Sequence, residues 1–140
     1  MNSDSRCSRR TFFAVSALAV LQACATVDTA TEARGRGVKR TFKQTVDEVF
    51  AVALVAAEKR QLEIVSATRE SGTILLSSGP SLSSLGGERI AMFITRLGER
   101  TSSVEIVVRT GMAAVSFPRD WAGLLFGEIE EELTARRLKR

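Results

Sequence analysis

Apolar positions along this chain change their spacing repeatedly, and each change marks the border of a predicted element. Over residues 38–44 the pattern predicts a strand, with Val38 and Phe42 on one face. Thr45-Val46-Asp47-Glu48 then fits a capping box, in which the threonine oxygen accepts from the third helical amide and Glu48 reaches back. The helix it opens runs to about Arg60. Its apolar stripe is Val46, Val49, Phe50, Ala53, Leu54 and Ala57, at three- and four-residue spacing. Glu58, Lys59, Arg60 and Gln61 close it as an exposed last turn.

Strands follow. Leu62, Ile64, Ser66 and Thr68 alternate against Glu63, Val65, Ala67 and Arg69, Glu70-Ser71-Gly72 supplies a turn, and residues 73–78 return as the second arm of a hairpin. Residues 77–87 are rich in Ser and Gly and contain Pro80, which reads as a long connection. Leu82 and Leu85 within it either pin the loop to the core or are offered to a partner. A second hairpin is sharper. Ile90, Met92 and Ile94 alternate with Ala91, Phe93 and Thr95, residues 97–101 turn, and Val104, Ile106 and Val108 return against Glu105, Val107 and Arg109.

Residues 112–118 fit a loop, a short strand or a turn of helix equally well. Asp120 then caps a terminal helix with a stripe of Trp121, Leu124, Leu125, Ile129 and Leu133, and Phe126 and Leu138 at its margins. The order β-α-β-β-β-β-α predicts an α+β fold: one antiparallel sheet with two helices packed on one face.

The N-terminus follows a different grammar. Arg6, Arg9 and Arg10 precede a short apolar run from Phe12 to Leu21, broken only by Ser16. A basic stretch, a short apolar stretch and small residues are the parts of a secretory leader. Thr11 to Ala23 is 13 residues, too few for the ~20 that a membrane-spanning helix needs. Leu21-Gln22-Ala23-Cys24 closes the run and resembles the lipobox of bacterial lipoproteins, whose cysteine is acylated after cleavage. That resemblance implies a signal peptide over residues 1–23, Cys24 as the lipidated residue, and a periplasmic domain held to a membrane of the cell envelope. The alternative is an ordinary leader cut nearby, with Cys24 incidental. Ala25 rather than an acid after the cysteine resembles outer-membrane sorting. Ser8-Arg9-Arg10-Thr11-Phe12-Phe13 also resembles the twin-arginine export motif, with Arg9 and Arg10 as the paired residues; the other reading is plain leader charge.

Removing residues 1–23 takes away three Arg and one Asp, so the formal net charge falls from +4 to +2. The remaining 117 residues suit a single domain over residues 38–140, joined to the anchor by a small, polar, Gly-spaced tether over residues 24–37. Cys7 leaves with the leader and Cys24 is the anchor, so the domain has no thiol to form a disulfide. Gly35-Arg36-Gly37 is too short for a phosphate-binding loop. The basic cluster Arg34, Arg36, Lys39, Arg40 and Lys43 either touches anionic headgroups beside the anchor or is a solvated run into an edge strand. The mild charge, one Trp and no Tyr argue against a nucleic-acid partner.

Catalytic chemistry has little to work with. The chain has no His and no Tyr, which removes the commonest general base and the commonest metal ligand. None of Lys39, Lys43, Lys59 and Lys139 stands in a Ser-x-x-Lys motif. Glu130, Glu131 and Glu132 are adjacent, but consecutive helical positions point ~100° apart and cannot converge on one ion. The chain is expected to be no enzyme and to need no cofactor or metal.

Residues 41–72, including "LEIVSATRESGTI", and the hairpin "RIAMFITRLGERTSSVEIVVRTG" resemble small domains of uncharacterised bacterial lipoproteins. Helices over an antiparallel sheet are also similar to the helix-grip domains of the BamC lipoproteins, accessory members of the outer-membrane barrel assembly complex. That likeness implies an envelope protein that binds or helps assemble a protein partner through a sheet edge or the Ser/Gly-rich loop. The alternative is a periplasmic carrier with a lipid or small hydrophobic ligand in a cleft between terminal helix and sheet, lined by Phe50, Met92 or Trp121.

Overall fold

The structure, a computed structural model, describes residues 32–80, 87–110 and 119–139. Among these residues, five strands and two helices follow in the order β1 (Val38–Phe42), α1 (Val46–Lys59), β2 (Glu63–Thr68), β3 (Thr73–Ser77), β4 (Glu88–Gly98), β5 (Thr101–Thr110) and α2 (Trp121–Leu138). The expected α+β order is the observed one. All pairings are antiparallel and the sheet order is β1-β5-β4-β3-β2. The first strand closes onto the last, leaving β4 and β5 in the middle and β1 and β2 as edges.

Register decides which face each residue serves. Ile90 stands opposite Val108, Met92 opposite Ile106 and Ile94 opposite Val104. This row joins Ile74 and Leu76 from β3 and is sealed by both helices. Val49, Val52, Ala53 and Ala56 from α1 and Leu125, Phe126 and Ile129 from α2 have 0% exposure. The α1 stripe is therefore wider than its spacing implies, because α1 packs against both the sheet and α2. Small side chains at Ala53, Ala56 and Ala57 let the two helices approach.

Phe126 corrects the expected stripe of α2. It lies at the centre of the core, with its ring centroid 6.3 Å from that of Phe42, while Leu138 is exposed. The helix turns its Phe126 side toward β1, an edge strand that sequence spacing alone could not place beside it.

Local signals set the helix ends. The capping box is present: the Thr45 hydroxyl accepts from the Glu48 amide at 3.2 Å, and the Glu48 carboxylate accepts from the Thr45 amide at 3.2 Å. Asp120 caps α2, accepting from the Gly123 amide at 2.9 Å. At the far end of α1, the Leu62 amide donates to the Ala57 carbonyl and the Gln61 amide to the Glu58 carbonyl, the two bonds of a Schellman motif. Such motifs favour glycine in the left-handed position, yet Gln61 sits there at φ 56°. A left-handed side chain costs about 1–2 kcal/mol.

One strand departs from the alternation expected of it. A bulge between Ile64 and Ser66 places Ser66 opposite Leu75 and Ala67 opposite Ile74. Ser66 consequently faces away from the helices and Ala67 toward them, the reverse of strict period two. At the turn that follows, Gly72 has φ 62°, and a Cβ there would stand 2.1 Å from the Ile94 carbonyl oxygen.

These two turns give opposite outcomes on substitution. Gln61→Gly relieves the left-handed strain and raises stability by about 0.5–1 kcal/mol. Gly72→Ala lowers it by more than about 1 kcal/mol. Urea unfolding of both variants checks this; a neutral or destabilised Gln61→Gly contradicts the strain assigned to that cap.

Candidate functional site

Among the described residues, the space between the helices and the sheet is occupied by packed side chains. Phe50, Met92 and Trp121 are 3%, 0% and 4% exposed and belong to one continuous core. Trp121 also lines a surface cavity of about 220 Å³, whose other walls include Arg60, Gln61, Glu88 and Arg119. That hollow is polar and charged. The Trp121 indole N–H is already committed to the buried Glu88 carboxylate, and the Arg119 guanidinium stands 5.0 Å from the ring centroid. An apolar ligand gains little in such a place.

The sheet face turned away from the helices carries a second apolar cluster of Ala91, Phe93 and Val107, with half-buried Leu75 at its side. The chain itself dresses this face. Ala33 packs into the cluster, and the Arg34 guanidinium lies 5.1 Å from the Phe93 ring centroid and donates to the Thr95 hydroxyl at 3.1 Å. Behind it, one carboxylate oxygen of Glu105 accepts from the Gly35 amide at 2.6 Å and from the Gly37 amide at 2.8 Å. Its other oxygen meets Lys39 at 3.7 Å. Glu105 is 6% exposed.

The expected tether over residues 24–37 thus meets the folded domain earlier than its hydrophobic pattern implies, since residues 33–37 are fastened to the sheet. Gly37 must be small there, for a Cβ would stand 2.4 Å from the Ile106 carbonyl oxygen. The pair Gly35 and Gly37 does present its amides to an anion, but the anion is the chain's own Glu105. Composition hid this because the two partners are about seventy residues apart and Glu105 alternates like any solvent-facing strand residue.

The two sheet edges differ. β1 is occupied: Arg40 bonds Glu130 of α2 at 2.7 Å and lies 4.8 Å from the Phe126 ring centroid. β2 is barer. After Glu63 it runs Ile64-Val65-Ser66-Ala67-Thr68 without a charge, and Val65 is 48% exposed at the bulge.

The neighbouring carboxylates of α2 point apart, as helical geometry requires. Glu130 goes to Arg40, while Glu132 goes to Lys59 at 3.2 Å and Arg136 at 3.2 Å. Hydrogen bonds from Arg136 and then Lys59 hold the Glu132 carboxyl below its ordinary value. Among the described residues no three His, Cys, Asp or Glu side chains stand together as a metal site, and no helix is long and apolar enough to cross a membrane. The leader with Arg9 and Arg10, Cys24, loop residues Leu82 and Leu85, and residues 112–118 lie outside the described residues.

Comparison with protein-family models and with curated proteins finds no match to this chain. Its chemistry must be read from its own surfaces.

The Glu105 tie can be tested by graded substitution. Glu105→Gln keeps an oxygen for both glycine amides but loses the charge, and with it the ion pair and the charge assistance of both bonds, whereas Glu105→Ala frees the segment. Hydrogen bonds to a charged acceptor contribute about 1.5–3 kcal/mol. Trypsin is expected to cleave after Arg34 and Arg36 much faster in Glu105→Ala than in the parent, with Glu105→Gln between the two. Equal cleavage of all three would show that this carboxylate does not hold the segment.

Proposed function

We propose that this chain is a lipid-anchored envelope protein whose periplasmic domain is a non-enzymatic interaction or assembly-accessory module. The filled core carries the choice between its two functional readings. A carrier needs a cleft of several hundred cubic ångströms for a drug-sized ligand; here Phe50, Met92 and Trp121 spend themselves on packing instead. What is left on offer is backbone at a sheet edge. Among the described residues, no strand pairs with the outer side of β2, which carries no charge after Glu63 and exposes Val65. Such an edge takes an added strand from a partner.

The anchor and the route of export belong to the same proposal. Their support is the run Phe12–Leu21 closed by Leu21-Gln22-Ala23-Cys24, and the paired Arg9 and Arg10 before it. Likeness to the helix-grip domains of BamC lipoproteins supports a partner in the assembly of envelope proteins rather than a substrate. It is a likeness of pattern, and the bare β2 edge is what this chain adds to it.

Two experiments address the two halves. A photo-crosslinking side chain at Val65 is expected to capture a defined envelope protein in intact cells, while one at exposed Glu131 on α2 captures none. With the crosslinking side chain kept at position 65, Ala67→Lys puts a charge at an exposed position of the same edge; it is expected to abolish capture of the same partner without moving the melting temperature. Capture that survives Ala67→Lys would sink the edge. For the anchor, Cys24→Ala is expected to abolish fatty-acid labelling and release the protein from membranes, and unchanged fractionation would refute lipidation. Arg9→Lys with Arg10→Lys blocks export only if the twin-arginine route carries the chain.

A further inference from the structure

Folding redistributes the basic residues that stand together in the sequence. Of the run Arg34, Arg36, Lys39, Arg40 and Lys43, the first lies over Phe93, and Lys39 and Arg40 face Glu105 and Glu130. Arg36 stays with the fastened segment, and Lys43 stands apart from the others. It sits just past the end of β1, beside the β4–β5 turn and the last turns of α2. There Lys43, Arg100, Arg136 and Arg137 line one surface cavity of about 170 Å³.

The cations in this cavity are not equivalent. Arg136 is bonded to Glu132, whose carboxyl it holds ionised. Glu48, the acid that lines the same cavity, is engaged with the amide and hydroxyl of Thr45. Lys43, Arg100 and Arg137 are exposed and meet no carboxylate among the described residues. Three unpaired cations from distant parts of the chain thus converge at one pole, and like charges held together lower their energy by sharing an anion.

Position selects which anion. Arg34 bonds Thr95, five residues before Arg100 along the hairpin, about 17 Å at ~3.4 Å per residue. The nine residue steps from Cys24 to Ala33 span at most about 30 Å. A lipid on Cys24 therefore holds this pole within reach of the bilayer surface.

We propose that this pole docks on an anionic phospholipid surface, with Lys43, Arg100 and Arg137 taking headgroup phosphates. The guanidinium forks of Arg100 and Arg137 suit phosphate oxygens, and Lys43 supplies a compact charge between them. The proposal rests on the anchored reading for its proximity argument, and gives the domain one orientation: pole to the membrane, with the bare β2 edge standing sideways to it.

The test uses the full chain with Cys24→Ser, so that no acyl group contributes, against the same protein with Lys43→Gln, Arg100→Gln and Arg137→Gln. Sedimentation is measured with phosphatidylcholine vesicles, with and without phosphatidylglycerol. Each basic residue near such a surface contributes about fivefold in binding. The parent is expected to bind the anionic vesicles on the order of 100-fold more tightly than the triple variant. The two are expected to bind neutral vesicles alike, and the gap to close at high salt. Arg100→Glu, a change confined to an exposed turn, is expected to weaken anionic binding at least as much as any single Gln change. Equal binding of parent and triple variant to anionic vesicles overturns the proposal, as does a gap that persists on neutral ones. Capture of an acidic periplasmic protein by the parent alone, with equal vesicle binding, would assign the pole to that partner instead. Since neither protein is acylated, these results are independent of Cys24: labelling and membrane fractionation that survive Cys24→Ala refute the anchor, whereas loss of the anionic preference refutes the pole.

Discussion

The constraint on which this domain depends is that its central hairpin is apolar on both faces. β4 sends Ile90, Met92 and Ile94 one way and Ala91 and Phe93 the other, and β5 answers with Val104 and Ile106 on one side and Val107 on the other. A two-stranded ribbon cannot bury either set by itself. The first set recruits both helices, which explains the alanines on the inner side of α1 and the central place of Phe126. The second set is small, and a short N-terminal segment suffices to dress it. Among the described residues, that economy leaves the β2 edge, rather than either face, as the bare part of the sheet.

Much of this architecture was legible from spacing alone. The capping box at Thr45, the Asp120 cap, the second hairpin and the strand and helix order are local or nearly local signals, and local signals survive folding unchanged. The departures share a cause. Phe126 has a marginal position in its helix's own spacing because that spacing carries no trace of β1, which comes some eighty residues earlier and closes onto β5. The Ile64–Ser66 bulge inverts the faces of a strand whose polar and small residues give no strong alternation to betray a slip.

Candidate site residues fared according to the same rule. Phe50, Met92 and Trp121 are interior residues, but interior residues line a cleft or fill a core with identical sequence patterns. Glu105 gives no local signal of its role, since nothing adjacent to it announces two glycine amides some seventy residues earlier in the chain. The basic run was visible, yet its members part company on folding, and the surviving cluster draws Arg100 and Arg137 from elsewhere. Charge in the sequence locates cations; only the fold says which ones are already spoken for.

The tie between Glu105 and the glycines also bears on mechanical load. Any pull on the N-terminal side of the chain, whatever applies it, arrives first at residues 33–37 and not at β1. Two short amide–carboxylate bonds and the Arg34 stack on Phe93 then act as a strain relief ahead of an edge strand only five residues long. Without it, the same tension would act directly on the end of β1 and unzip the ladder one hydrogen bond at a time. With it, the sheet is spared until the fastening gives way.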